Sequence, residues 1–219
     1  MATAQRIAQP LDIRINQWFK ENRRTAIAIA VGAVLAAGGT LFWKTARDRR
    51  EDFAERAFTG ARASAEAGNL PLAASDLARV VSTFDGTRAG QEATLLLAQV
   101  RLLQGQPALA VGDLRKFVGS GPRVEFRGPG SALLGGALEE AGQPGEAAKA
   151  YEAAANATEY KGIKAQYLMD AARTFATAGN VDQAIRIYER VVNEFKTQSS
   201  SVEAQVRLTE LRKNALSKQ

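Results

Sequence analysis

The sequence predicts an all-α protein, in which a single apolar N-terminal helix leads into a solenoid of four helical hairpins with a closing helix. Three observations carry that prediction. A Gly followed five residues later by Ala recurs as Gly68/Ala73, Gly105/Ala110, Gly142/Ala147 and Gly179/Ala184, with successive glycines 37 residues apart. The run from Thr25 to Trp43 is nineteen residues long and holds no charge. The 219 residues are 46% apolar and 24% charged, a composition that supports a packed core, and they include no Cys and no His. Those two absences remove disulfides, thiol nucleophiles, imidazole bases and the usual zinc and haem ligands.

Residues 1–24 read as a basic amphipathic tail. Leu11, Ile15 and Trp18 stand at i, i+4 and i+7, with Phe19 beside them. They suit either a short interfacial helix or a tail whose aromatics, Trp18 and Phe19, mark the headgroup level. Residues 25–43 read as a transmembrane helix, because at 1.5 Å per residue they span about 28 Å. Arg23 and Arg24 precede the run, Lys44 and Arg47 follow it, and Phe42 and Trp43 stand at its end as interfacial anchors. A cleaved signal peptide fits less well, since the run is longer than an ordinary h-region and 24 residues come before it. Gly32, Gly38 and Gly39 offer places where a neighbouring membrane helix can approach closely.

The net charge of +6 has one location. Residues 1–50 hold nine Lys/Arg and three Asp/Glu, whereas residues 51–219 hold twenty of each. A nucleic-acid-binding domain needs its cationic surface on the folded part, so this distribution argues for contact with membrane lipids and against nucleic acid. The charge does not fix orientation, because five Lys/Arg lie in the first 24 residues and six between Lys44 and Arg62. Residues 44–53 continue as a helical linker, with Arg47/Glu51 and Asp52/Arg56 spaced for i,i+4 pairing.

Residues 54–201 divide into units 54–90, 91–127, 128–164 and 165–201. Seven residues before each marker glycine comes Ala61, Ala98, Gly135 or Ala172; nine after it comes Leu77, Leu114, Tyr151 or Tyr188; twelve after it comes Val80, Phe117, Ala154 or Val191. In each unit the glycine ends a first helix in the left-handed conformation, and the following Ala is where a second helix presses on the first. Unit three departs from this pattern. It follows a loop, Gly119 to Gly130, which reads as an ordinary inter-hairpin connection or, alternatively, as a hinge or docking loop presenting Val124 and Phe126, and Gly135 and Gly136 each weaken its first helix by roughly 1 kcal/mol. Residues 202–219 form a closing helix from Val202 to about Leu216 and a tail, with Ser200 and Glu203 spaced as a capping box.

The repeat resembles the tetratricopeptide repeat, a 34-residue unit, with three additional residues accommodated in the loop between units. The resemblance implies a concave groove lined by the first helix of each unit. Carried over by register, the groove columns are Phe58, Leu95, Ala132 and Met169, and Arg62, Gln99, Gly136 and Arg173. The Lys and Asn of the family's carboxylate clamp are absent from these positions, and Arg62 and Arg173 remain as candidates to hold acidic groups.

No chemistry-bearing constellation stands beside this reading. Gly119-Ser120-Gly121 runs into Pro122 and cradles no phosphate, and Glu139-Glu140 and Glu51-Asp52 read as solvated helix surface. The expectation is a non-enzymatic protein without cofactor, metal or small-molecule substrate, whose partners are other proteins and membrane lipids. Taken in order, tail, Gly- and Ala-rich span and repeats resemble the YfgM-type ancillary SecYEG translocon subunit family, most strongly from Ile13 to about Leu114. That resemblance implies a single-pass protein of the bacterial inner membrane with a cytoplasmic N-terminus and periplasmic repeats beside SecYEG and periplasmic chaperones. The alternative is a structural accessory subunit of another inner-membrane complex, photosynthetic or respiratory.

Overall fold

The structure, a computed structural model, describes residues 23–216, with the side chains of residues 26, 29, 30, 215 and 216 excepted. The described residues form nine α-helices and no strand. The helices are α1 Arg23–Glu66, α2 Leu70–Thr83, α3 Arg88–Leu103, α4 Pro107–Gly119 and α5 Val124–Glu140. They continue as α6 Pro144–Asn156, α7 Lys161–Thr177, α8 Val181–Glu194 and α9 Ser199–Leu216. The chain divides into two compact units, one ending at Arg49 and one beginning at Arg50.

In the first unit the apolar side chains of Ile27, Val31, Val34, Leu35, Leu41, Phe42 and Trp43 are all exposed. The Thr40 and Thr45 hydroxyls donate to the carbonyls of Ala37 and Leu41 within the helix. Among the described residues no helix is long and apolar enough to cross a membrane. Ala26, Ile29 and Ala30, which belong to the charge-free run, have side chains outside the described set, and Trp18 and Phe19 lie outside the described residues.

The second unit is the repeat array. Gly68, Gly105, Gly142 and Gly179 have φ of 76°, 70°, 72° and 82°, a region in which a Cβ is penalised and which turns the chain back on itself. The turn delivers Ala73, Ala110, Ala147 and Ala184 into positions of zero exposure, where any larger side chain meets the partner helix. The residues nine and twelve after each glycine are buried as well, and Leu77 and Leu114 each contribute roughly 2 kcal/mol by leaving water. The second helices of units two and three begin on Pro107 and Pro144, where a missing N–H costs no hydrogen bond. At the starts of α2 and α3 side chains cap: Asn69 Oδ1 accepts the Leu72 N–H and Thr87 Oγ1 accepts the Gly90 N–H. Buried side chains form two clusters, Ala54 to Val100 and Ala98 to Leu208, which meet on α3.

Four sequence-based expectations change. The segment Gly119–Gly130 is not a loop throughout, since α5 begins at Val124 and takes Pro129 inside it. Gly121, at φ 69°, completes the turn, and the Arg123 N–H is held by Gln91 Oε1 at 3.0 Å, so the helix starts early. Phe126 is buried and only Val124 is presented. Gly135 is a site of close packing and not of slack, because a Cβ there would stand 2.8 Å from the Tyr151 ring. The closing helix begins at Ser199, which puts Ser200 inside its first turn and leaves the Gln198 carbonyl to accept the Ser201 N–H. Near the start of the array, Glu51 accepts the Arg88 N–H at 2.9 Å and faces Arg123, while Arg56 lies over the Phe53 ring.

Candidate functional site

Phe58, Arg62, Leu95 and Gln99, drawn from the first helices of units one and two, line one groove of about 500 Å³. Its apolar wall is completed by Ala65, Leu70, Leu96, Val100 and Leu103, and Leu103 is 73% exposed. Leu70 at the start of α2 and Leu103 at the end of α3 were not singled out from the sequence. The signal available for Leu103 was a large apolar residue just before a marker glycine, where the helix ends and its last turn loses cover.

The groove's charged groups are already paired along their own helices. Arg62 Nε donates to Glu66 Oε1 at 2.8 Å, and Arg88 donates to Glu92 at 3.1 Å. Such exposed i,i+4 pairs are worth about 0.3–0.5 kcal/mol, so a ligand displaces them at small cost. Gln99 supplies an amide that both donates and accepts, which suits a peptide backbone laid over the apolar wall.

Met169 and Arg173, the unit-four members of the same columns, are not part of this groove. Met169 is 6% exposed and belongs to the core, as does its unit-one counterpart Phe58 at the same exposure. Arg173 forms a bidentate pair with Glu139 at 2.7 and 2.8 Å, and Tyr151 Oη donates to the same carboxylate at 2.8 Å. Glu139 is therefore no solvated surface acid, whereas its neighbour Glu140 is exposed. The Arg173 guanidinium holds the Glu139 carboxyl below its usual range, with burial opposing it, and the same bond raises Arg173 further. Burial, followed by the bond to Glu139, pushes the Tyr151 phenol up. Asp170, 4.0 Å from Arg173, is raised by burial.

Ala132 and Gly136 are half-buried and lie outside the groove's lining. Around Gly32, Gly38 and Gly39 an added Cβ would meet nothing within 4 Å. Among the described residues no cluster of three His, Cys, Asp or Glu is placed to hold a metal ion.

Stacked two-helix units turned by positive-φ glycines and sealed by buried alanines define a helical-repeat protein. The chain belongs to the tetratricopeptide repeat-like domain family, whose model matches residues 16–213. Among solved structures it is similar to a Podospora anserina kinesin light chain protein with nearly identical TPR-like repeats, at 20% identity and a TM-score of 0.59, over 74% of this chain and 87% of that one. It is similar to MamA at 18% identity and a TM-score of 0.53, over 73% and 86%. It is also similar to YrrB, described as a TPR protein with an unusual peptide-binding site, at 16% identity and a TM-score of 0.51, over 87% and 96%. At these identities the likeness concerns the fold. No curated protein matches the chain.

Proposed function

We propose that this protein is a membrane-anchored, non-enzymatic scaffold that holds a segment of another protein in the groove between its first two repeat units. The observation that carries this reading is the groove itself, an apolar wall flanked by ion pairs weak enough to be displaced and carrying one amide able to bond a backbone. The similarity to YrrB supports it by analogy of fold.

In this proposal Thr25–Trp43 is the anchor, in a bacterial inner membrane, with the N-terminus cytoplasmic and the repeats periplasmic. The absence of charge from the run, its basic flanks, the uncovered apolar side chains and the hydroxyls satisfied inside the helix support the anchor. The order of tail, span and repeats favours an ancillary place beside SecYEG and periplasmic chaperones. The open faces of Gly32, Gly38 and Gly39 favour a second reading, in which the anchor packs into a photosynthetic or respiratory complex as a structural subunit.

Purification of the tagged protein from its own membranes in mild detergent, followed by quantitative mass spectrometry, tests both readings. The translocon reading expects substoichiometric SecYEG and folding factors that disappear in Leu103→Glu, an exposed substitution that leaves stability within about 0.5 kcal/mol. A fixed one-to-one ratio with an energy-converting complex, unchanged in that variant, replaces it with the structural reading. Absence of any specific partner overturns both.

A further inference from the structure

A second cavity, about 440 Å³ in volume, opens where the start of α5 meets the α6–α7 connection and shares no residue with the groove. We propose that it is a docking pocket for a protein segment that presents a large apolar side chain beside a Lys or Arg.

The cavity exists because one register position changes residue type between units. In unit two that position is Gln91, whose side chain crosses to the next unit and accepts the Arg123 N–H. In unit three, 37 residues on, it is Gly128, which has no side chain to send, and the counterpart of that N–H, on Tyr160, turns to Thr158 Oγ1 at 3.3 Å. Gly suits the position because Pro129 follows it inside the helix, where a Cβ on the preceding residue crowds the ring. The space thus vacated is walled by Val124, Ile163 and Tyr160, which are 69%, 46% and 75% exposed, with Pro129 and Tyr167 behind them. Among the described residues this wall of large apolar side chains has no covering element.

Charge selects the occupant. Glu125 and Glu159 are the only charged residues lining the cavity, and both are anionic. Glu125 has a distant partner, Arg123 Nε at 3.9 Å, and Glu159 forms no ion pair among the described residues. A cation on the incoming segment therefore meets two carboxylates while its apolar neighbour fills the cavity. The proposal stands apart from the groove, since no residue is common to the two.

The test is panning of a random twelve-residue peptide library on the full chain in mild detergent, followed by anisotropy titration of the enriched peptides. The expected peptides place an aromatic or long aliphatic residue within two positions of Lys or Arg. Their affinity falls at least about tenfold in the exposed-site variants Tyr160→Ser and Glu125→Lys/Glu159→Lys, and is unchanged in Leu103→Glu. Circular dichroism of each variant excludes unfolding as the cause. Enrichment without a cation, binding indifferent to the Glu125→Lys/Glu159→Lys variant, binding lost in Leu103→Glu, or no enrichment overturns the proposal.

Discussion

At the seam between units one and two, Ala65 and Gln99 leave an apolar groove open, whereas at the seam between units three and four the same two register positions hold Glu139 and Arg173. There the carboxylate and the guanidinium close on each other, and Tyr151 reaches past Gly135 to bond the same carboxylate. One fold thus yields an open surface at one end and a surface tied to itself at the other. The difference shows that a repeat protein's groove is decided seam by seam. A column residue is available only if the matching column of the preceding unit leaves it unpaired, and Arg173 is not available.

The largest expected effect tests the scaffold common to both seams. Ala110→Glu places a carboxylate at a position of zero exposure between hairpins, and a loss of at least about 3 kcal/mol, with collapse of the helical signal on heating, is expected. Unchanged thermal unfolding in that variant would sink the proposed register.

Next comes the glycine pair at the closed seam. Gly135→Ala drives a Cβ into the Tyr151 ring and is expected to destabilise by about 1–2 kcal/mol despite its better helix propensity. Gly136→Ala meets only Tyr151 Oη at 3.6 Å, an ordinary contact, and is expected to be neutral or to stabilise by up to about 1 kcal/mol. Denaturant titrations of the two variants measure the contrast, and equal effects would remove the close-packing explanation.

Smaller effects come from charge. Glu139→Gln is expected to cost about 1 kcal/mol at pH 7, a modest figure because Arg173 is half exposed. Folded Glu139 binds its proton less readily than the unfolded chain does. Its contribution is therefore complete above its ordinary value of 4.5 and is lost as pH falls through the lower folded value. The variant should flatten the acid side of the stability profile, and an unaltered profile would show that the pair contributes nothing.

Asp170 carries the opposite sign. Its folded value is raised by burial above the ordinary 3.8, so its contribution is complete below that pH and is lost as pH rises through the folded value. Asp170→Asn is expected to gain a few tenths of a kcal/mol at pH 7 and nothing at pH 3. Paired chemical denaturation at the two pH values measures it, and a loss at pH 7 would mean that attraction to Arg173 outweighs desolvation.

The repeat register was legible because it is written in residue types that only one local environment accepts. Glycine at positive φ and alanine at zero exposure recur every 37 residues, and each acts within its own hairpin. Phe58, Arg62, Leu95 and Gln99 came together because those columns stand on adjacent first helices. Glu139 was misread because Arg173 and Tyr151, which hold it, come from other helices. The start of α5 was misread because Gly and Pro dominate Gly119–Gly130, while the bond that sets the helix start comes from Gln91 in the preceding unit.

The sequence by itself therefore determined the helical class, the repeat length, the turns, the buried alanine columns and the charge-free N-terminal run, all of them local or strictly periodic properties. Only the tertiary structure decided which groove is open, which arginine is tied, why Gly135 is needed and where Gly128 leaves a cavity. Each of those depends on what a neighbouring helix or loop brings into contact, and periodicity places such partners in register without stating whether their side chains meet.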